Sequence, residues 1–450
     1  MLPMLRFRLS FMMFLEFFIW GAWLPLIFGY LPSLGFNETW QQPLILGAFN
    51  VAALVAMFVG TQYVDRYFSA EKFLAFSHLV GGLAILGLAF IKKPEGEASA
   101  PFWPFFNLML VHSLFYVPTI SITNSIAFAN LKDPQKEFGQ VRLWGTIGWI
   151  AASWPFVFIL TDWLKVPAFG SVPFTEWLGA ALGTSKEGAV LREATSFIFI
   201  AAGAASLLLA AFSLVLPHTP PKPASESREK LAWLEAVKLL RIPFVLVLFV
   251  VTFIDASVHQ VFFFWAGRFF EFGVKIPGNW IMPVLSIGQL AEIGTLAFLG
   301  YVLKRLGWRY TMVIGILGHA VRFAVFAFFP EPVPAILVNI LHGICYAFFF
   351  ATVYIFVDEF FPKDARASAQ GLFNVLILGA GPFVGNFLGA QLGIMYKLGD
   401  NQWDFRNMFL VPAAIALAAA LGLLLFFHPS KSKVDNLPEE PPFAPPSETF

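Results

Sequence analysis

The chain has 450 residues, of which 58% are hydrophobic, 17% are aromatic and 13% are charged, and its mean hydropathy is +0.72. A soluble protein of this size cannot bury so much apolar surface, so the composition excludes a soluble enzyme, a nucleic-acid-binding protein, a disulfide-rich scaffold and a disordered chain. The 29 basic and 28 acidic residues nearly cancel, which implies no polyanionic partner and leaves a multi-span membrane protein as the expected class.

Long apolar segments recur along the whole chain. A helix needs about 20 apolar residues to cross the hydrocarbon core, and backbone polar groups at that depth must bond within their own segment. The alternation typical of transmembrane barrel strands is absent. The sequence therefore predicts an all-α integral membrane protein with twelve transmembrane helices, at residues 9–31, 43–63, 73–91, 102–129, 143–161, 194–216, 243–267, 279–303, 309–329, 334–357, 368–396 and 405–427.

The basic residues indicate how these spans are oriented. The first apolar segment follows Arg6 and Arg8, but it is long and contains Trp20 and Trp23, so we expect a first span and not a cleaved signal peptide. If the N-terminus is cytoplasmic, 19 of the 29 basic residues fall in inside segments and 9 in outside segments, while Arg322 lies within a span. The positive-inside rule then places both termini in the cytoplasm.

A polar connection after the sixth span divides the chain into two sets of six helices. It contains three prolines within a few residues, and its residues 225–240 are expected to form an interfacial amphipathic helix. An outside insert, residues 162–192, is either a lid or a passive loop, and we favour the passive loop. The predicted parts are an N-terminal six-helix bundle at 1–216, a cytoplasmic linker at 217–242, a C-terminal six-helix bundle at 243–428 and a disordered cytoplasmic tail at 429–450.

Polar residues within the spans are candidates for function, because an ionisable group at the bilayer centre costs several kcal/mol. In the fifth span Arg142, Thr146 and Trp149 are spaced by four and three, so they share one helix face. That face offers a cation, a hydroxyl and a large ring, which suit a planar polar ligand. The alternative is that Arg142 marks the cytoplasmic end of the span and that Trp149 is ordinary packing.

The eighth span carries a second polar face. Gln289 and Glu292 are three residues apart near the middle of an apolar helix, and Gly288 and Ala291 beside them allow a close approach by a helix or a ligand. The alternative is a polar clamp between two helices. We favour a functional role, because a carboxylate is a costly clamp.

The seventh, tenth and first spans contribute further candidates. In the seventh span Asp255 and His259 are four apart, so that the carboxylate is expected to bond the imidazole or to form a merely local pair, and Gln260 follows. In the tenth span His342 and Tyr346 share a face on which the tyrosine ring is suited to stacking on a base or sugar. Further features are Glu16 near two tryptophans of the first span and a close-packing stripe at Gly381, Gly385, Gly389 and Gly393.

Motifs of soluble enzymes are missing from the sequence. It has no phosphate-binding loop, no G-x-S-x-G turn and no His/Cys cluster with metal-ligand spacing. We therefore expect neither an enzyme nor a metal or other cofactor, and the single cysteine, Cys345, cannot form an internal disulfide.

Several short blocks, in order, resemble the nucleoside:H⁺ symporter family of the major facilitator superfamily, the bacterial nucleoside permeases. The resemblance runs over nearly all twelve spans, and its most specific block is Arg-Leu-Trp-Gly-Thr-Ile-Gly at residues 142–148. The other blocks are FLEFFIWGAWL at 14–24, Asp65-Arg66 with Ser69-Ala70, Tyr116 to Thr119 with Asn124, SIGQLAE at 286–292, HGICY at 342–346 and RASAQG at 366–371.

This resemblance implies a fold and a function. Two six-helix bundles of the major facilitator type enclose a midplane site, and their rocking exposes the site to each side in turn. The resemblance implies a monomeric secondary active transporter in the bacterial cytoplasmic membrane. It implies import of nucleosides by proton symport, and contact with lipid but not with nucleic acid. The implied site residues are Arg142, Thr146, Trp149, Gln289, Glu292, His342 and Tyr346.

Two departures from the family pattern keep alternatives open. On the seventh span the family often has Gln, followed three residues later by Asn. In this chain the corresponding pair is His259 and Phe262 or, with a shift of one residue, Gln260 and Phe263, so the Asn is absent in either case. It also often has Asp where this chain has Ala347. Proton coupling is then expected to use Glu292, Glu16 or Asp255. The alternatives are transport of another small polar solute such as a sugar or glycoside, or a non-transporting membrane sensor on a transporter scaffold.

Overall fold

A computed structural model describes residues 3–56, 68–132, 134–221, 239–361 and 366–429. We call residues 3–221 the N-terminal half and residues 239–429 the C-terminal half. The end of the expected second span, most of the expected interfacial helix and the tail from residue 430 lie outside the described residues. The domain bounds given above stay a proposal.

The N-terminal half is built from helices joined by short connections. Two of them, α6 and α7, lie in the insert that was expected to be a loop. The helices are α1 (Pro3–Ser33), α2 (Gln41–Val55), α3 (Ala70–Leu88), α4 (Phe102–Asn130), α5 (Pro134–Ile159), α6 (Phe174–Gly183), α7 (Gly188–Thr195) and α8 (Phe197–Ser213).

The C-terminal half is also helical, with π-helical turns after α9, after α12 and after α14, and with one small hairpin. The elements are α9 (Pro243–Arg268), α10 (Ile281–Phe328), α11 (Pro332–Leu337), α12 (Leu341–Cys345), α13 (Thr352–Phe360), α14 (Arg366–Asn374), α15 (Gly381–Met395), the antiparallel strands β1 (Lys397–Gly399) and β2 (Gln402–Trp403), and α16 (Phe405–Phe426). The π turns are Phe269–Gly273, Tyr346–Ala351 and Val375–Ala380.

Helices overlap every expected span. Within the described ranges, nine helical segments are long and apolar enough to cross a membrane. One of them contains both the eighth and the ninth expected spans, because α10 changes direction at Gly307, where φ is 69°, a conformation that favours glycine. The second expected span is represented by the shorter apolar helix α2, and the fifth by α5.

The glycine stripe on α15 packs closely against α9, as expected. A Cβ atom at Gly385 would lie 2.5 Å from the Ser257 carbonyl oxygen, and one at Gly389 would lie 2.8 Å from the Phe264 ring. Glycine therefore sets the distance between these two helices, because any larger residue needs a backbone shift.

Hydrogen bonds join the two halves at the end of the bundle where α1 ends, which we call the closed end. Arg268 at the end of α9 donates to the Phe28 carbonyl at 2.7 Å and to the Gln42 side chain at 2.5 Å. Deeper in the bundle, Asn50 donates to the Leu378 carbonyl at 2.9 Å.

The insert at residues 162–192 also contributes to the closed end. Its Leu182 carbonyl accepts hydrogen bonds from Asn279 at 3.0 Å and from Trp280 at 2.6 Å, both of which belong to the C-terminal half. The insert is therefore a folded part of the contact between the halves, which the passive-loop expectation did not include.

Candidate functional site

The expected polar face of α5 points into the protein. Arg142, Thr146 and Trp149 are partly buried, whereas Leu143 and Ile147 on the opposite side of the helix are exposed. Because α5 packs along α1, the face of Arg142 is directed towards α1 and the C-terminal half. The three residues share one partly buried face of α5, and their role as ligands stays a prediction.

The Arg142 guanidinium lies over the Phe17 ring, with its carbon 3.8 Å from the ring centroid. It interacts electrostatically with Glu292 and Tyr346 of the C-terminal half. Among the described residues it has no carboxylate within ion-pair distance, so its donors are free to bind a ligand.

Aromatic rings form one wall beside this cation. Trp149 meets Trp20 edge-on with ring centroids 5.2 Å apart, and Trp20 stacks on Phe49 at 5.0 Å. The contact is possible because Gly21 lets the two helices approach, since a Cβ there would lie 2.8 Å from the Trp149 carbonyl oxygen. Such a wall offers apolar faces for a flat ligand.

The polar face of α10 lies opposite. Gln289 and Glu292 are partly buried, whereas Leu290 on the far side of the helix is exposed. The Oε1 atom of Gln289 is buried and has no hydrogen-bond partner in the described part of the chain. An unpaired buried acceptor is costly, so this oxygen is suited to a donor from a ligand.

Residues from both halves come close together inside the protein. Arg142 interacts electrostatically with Glu292 and Tyr346, and all three side chains are partly buried. The structure therefore brings these three expected site residues together across the interface between the halves.

The tenth-span residues are held against α10 by glycine contacts. A Cβ at Gly288 would lie 2.9 Å from His342, and one at Gly343 would lie 2.5 Å from the Glu292 backbone nitrogen. Tyr346 begins a π-helical turn, a local irregularity that is frequent at functional sites. Ala347, next to it, is fully buried.

Among the described residues Asp255 makes no hydrogen bond to His259, so the first of the two interpretations is wrong, and the alternative of a local pair facing a neighbouring helix remains. Asp255 instead faces His319, with Oδ2 3.6 Å from Nε2. Arg322 donates to His319 Nδ1 at 2.9 Å and to His342 Nδ1 at 3.2 Å. Helix periodicity relates residues of one helix, and here the partner of Asp255 lies on a neighbouring helix.

Two imidazoles are nevertheless close together at the site. The His259 and His342 rings stack with centroids 5.1 Å apart. An arginine can only donate, so the Arg322 contact makes His342 Nδ1 an acceptor and places the ring hydrogen on Nε2. His259 keeps its Nδ1 buried without a partner in the described residues.

Gln260 is engaged differently from the other expected ligands. Its amide donates to the Asn386 side-chain oxygen at 2.9 Å, and Asn386 in turn donates to Asn50 of the N-terminal half at 3.3 Å. Its amide nitrogen therefore takes part in the contact between the halves, and its role as a ligand stays a proposal.

Glu16 lies in a separate buried cluster of the N-terminal half. Its Oε2 atom is 2.9 Å from His78 Nε2, and its Oε1 atom accepts from Thr119 at 2.9 Å. His78 was not among the residues expected from the sequence, because it lies on α3, far from Glu16 along the chain. A histidine within an apolar span is the only signal that the sequence gives for it.

Comparison with known proteins agrees with this architecture. The family model described as nucleoside H⁺ symporter matches residues 4–175 and 168–432. The chain is 31% identical to the putative nucleoside transporter YegT of Escherichia coli K12 over 95% of both chains, and 27% identical to the xanthosine permease of the same organism over 93% of this chain and 94% of that one.

Solved structures give the same result. A crystal structure of a mutant of the nucleoside transporter NupG matches with a TM-score of 0.77 at 25% identity, covering 94% of this chain and 100% of that chain. The fold is that of the major facilitator superfamily, and the protein is a membrane transporter and not an enzyme. The chain belongs to the nucleoside H⁺ symporter family.

Proposed function

We propose that this protein imports nucleosides together with protons across the cytoplasmic membrane by alternating access. The observation that carries the proposal is the electrostatic interaction of Arg142 from one half with Glu292 and Tyr346 from the other, all three partly buried. A site shared between two halves is what a rocking transporter requires. The family and its named nucleoside transporters supply the substrate class.

Each side of the site has a distinct task in this proposal. Trp149 and Tyr346 contact the flat faces of the base, and Arg142 and Thr146 bond its polar edge. Gln289 and Glu292 bond the ribose hydroxyl groups. His259, Gln260 and His342 complete the site on the side where the family pattern is changed.

We further propose that both termini are cytoplasmic, that the transporter works as a monomer and that lipid surrounds it. The excess of basic residues in the inside segments supports this orientation. The closed end then faces the outside of the cell.

The test of the substrate uses purified protein and then proteoliposomes. Thermal unfolding is followed with nucleosides, bases and sugars, because a ligand stabilises by an amount set by its concentration relative to its dissociation constant. Labelled uridine exchange is then measured with the compounds that raised the melting temperature as competitors. The proposal expects nucleosides to stabilise and to compete. Stabilisation and competition by sugars alone would contradict it.

A second candidate substrate is another small polar solute such as a sugar or glycoside. The stacked His259–His342 pair favours it, because two imidazoles stand beside the space where the family pattern has different polar residues. The same competition panel separates the two candidates. Measurable flux of any compound excludes the non-transporting sensor.

Proton coupling is proposed to depend on Glu292, the carboxylate that interacts with Arg142 across the halves. Glu292→Gln keeps the shape of the side chain but removes its charge. We expect this variant to lose concentrative uptake driven by a pH gradient while retaining part of its exchange activity, because exchange needs no net proton movement. Unaltered proton-driven accumulation would remove Glu292 from this role.

A further inference from the structure

The insert at residues 162–192 carries a group of large apolar side chains that are exposed and take no part in the site between the halves. Leu164 is 98% exposed, Phe169 is 75% exposed and Phe174 is 61% exposed. Trp163 is exposed as well, and Trp177 is half-buried. We call these five residues the insert patch. Exposed apolar side chains that form one contiguous surface mark a place where a protein meets a membrane or another protein, whereas single ones are ordinary.

The rings of the insert patch contact one another. The Trp177 ring has its centroid 5.0 Å from that of Phe169 and 6.1 Å from that of Phe174. The Trp163 ring lies on the same tryptophan, with the two centroids 6.4 Å apart. The patch is therefore one aromatic surface and not a set of isolated side chains.

Backbone hydrogen bonds fix the insert to the end of α5. The Asp162 amide donates to the Thr184 carbonyl at 2.9 Å, and the Lys186 amide donates to the Leu160 carbonyl at 2.8 Å. These bonds close the segment that contains the whole insert patch, because the patch lies between residues 162 and 184. The position of the patch relative to α5 is therefore set by the fold.

The insert patch continues the outer surface of α5. Ile147, Trp154 and Phe158 are exposed and lie seven and four residues apart, so they share one face of the helix. Since α5 represents the fifth span, this exposed apolar face lies against the hydrocarbon of the membrane. Trp163 stacks on Phe158 with ring centroids 6.5 Å apart and donates from Nε1 to the Phe158 carbonyl at 3.0 Å. The aromatic surface therefore runs from the lipid-facing side of α5 directly onto the insert.

The composition of the insert suits the layer between water and hydrocarbon. Tryptophan combines an apolar ring with an N–H donor, which is why it is frequent at that depth. The insert contains three basic and three acidic residues, so it has no net charge that would attract an anionic lipid or a charged protein. The charge next to Leu164 is compensated as well, because Lys165 Nζ lies 3.5 Å from Asp162 Oδ2. Apolar area is then the main contribution to binding.

We propose that the insert patch lies in the interfacial layer of the bilayer at the closed end, where its rings contact the glycerol groups and upper acyl chains of phospholipids. Phe174 and Trp177 lie in the first half of α6, whereas Leu182 near its end accepts hydrogen bonds from the C-terminal half. The helix α6 is thus placed between the membrane and the C-terminal half. This placement goes beyond the proposed nucleoside import and does not depend on the substrate.

Spin labels measure the depth of the patch in the full-length protein, in nanodiscs of zwitterionic phosphatidylcholine. They are attached to Leu164→Cys and, separately, to Phe169→Cys. Both side chains are exposed, so the fold tolerates the changes, and the native Cys345 is buried. Collisions with oxygen, which concentrates in the bilayer, are compared with collisions with a water-soluble nickel complex. We expect both labels to lie about 5–10 Å into the boundary between head groups and acyl chains.

The matched control is Glu97→Cys, in the connection between α3 and α4. This position is exposed, and the connection lies at the same end of the molecule, because the Ala100 amide donates to the Leu34 carbonyl just beyond α1 at 2.8 Å. We expect the control label to collide with the nickel complex more often than either patch label, since the connection is rich in charged residues and stays in water.

Two results would overturn the proposal. In the first, either patch label collides with the nickel complex as often as the control does, which places the patch in water. In the second, collisions with both reagents are rare, because a protein partner such as a second copy of this chain covers the patch. Nucleoside transport does not enter the measurement, so its outcome is independent of the proposed function.

Discussion

At the residue scale, the buried charges are not isolated. Arg322 is fully buried, lies over the Phe262 ring at 3.6 Å and bonds two histidines. Asp255, also fully buried, has its Oδ2 atom 3.6 Å from His319 Nε2 and interacts electrostatically with Arg322. Each charge is tolerated in an apolar half because the other is near.

This compensation predicts the effect of removing one partner. Asp255→Asn leaves Arg322 as an uncompensated buried cation, which costs about 3–5 kcal/mol. The melting temperature of the purified Asp255→Asn variant should fall. In the double variant Asp255→Asn/Arg322→Met, the decrease in melting temperature should be smaller than the sum of the decreases in the two single variants. Asp400→Asn is the control, because its ion pair with Lys397 is exposed to solvent, and we expect no measurable change in melting temperature. Additive effects of the two changes would contradict the pairing.

The sequence allowed part of the site to be predicted at this scale. Residues three or four apart share one face of a helix. The sequence alone therefore predicts that Arg142 lies on the same face as Thr146, and Gln289 on the same face as Glu292. The partners His78 of Glu16 and His319 of Asp255 were not predicted. They lie on other helices, and their proximity depends on packing between helices, which periodicity does not contain.

At the element scale, small residues determine how closely helices approach. The stripe on α15 was visible in the sequence as four glycines at equal spacing, and its partner helix α9 was not. The sequence predicts two separate spans, the eighth and the ninth, where the structure has α10. The bend at Gly307 divides α10 into two parts that correspond to these spans. At the closed end the insert contacts the C-terminal half through the backbone carbonyl of Leu182. Side-chain patterns in the sequence do not predict this contact, because every residue has a backbone carbonyl.

The stripe provides a prediction for a single methyl group. Gly385→Ala places a Cβ 2.5 Å from the Ser257 carbonyl oxygen, so α9 and α15 must separate. Overpacking of this kind costs about 1–3 kcal/mol, and the melting temperature should decrease. Gly422→Ala on α16 is the matched control, because no atom lies within 4 Å of its Cβ. Equal melting temperatures for the two variants would show that the helix contact is not tight.

At the scale of the whole molecule, Arg268 is one of the residues that join the halves at the closed end. Arg268→Gln removes the donors to Phe28 and Gln42, so the contact between the halves at the closed end should weaken, and molecules that are open at this end should become more frequent. The distance between spin labels at the exposed positions Asn37 and Glu331 measures this opening. The labels are attached to introduced cysteines, because the single native cysteine, Cys345, is buried. We expect a longer distance to gain population in the variant. An unchanged distance distribution would show that other contacts hold the closed end together.

The central claim is that both halves contribute to one nucleoside site, and binding measurements test it most directly. The dissociation constant of a nucleoside is determined for wild type, for Thr146→Val of the N-terminal half and for Gln289→Leu of the C-terminal half. Loss of one hydrogen bond costs about 0.5–1.5 kcal/mol, so each variant should bind roughly two- to tenfold more weakly. Weakening by both variants is the predicted result, and wild-type affinity in both variants would contradict the account.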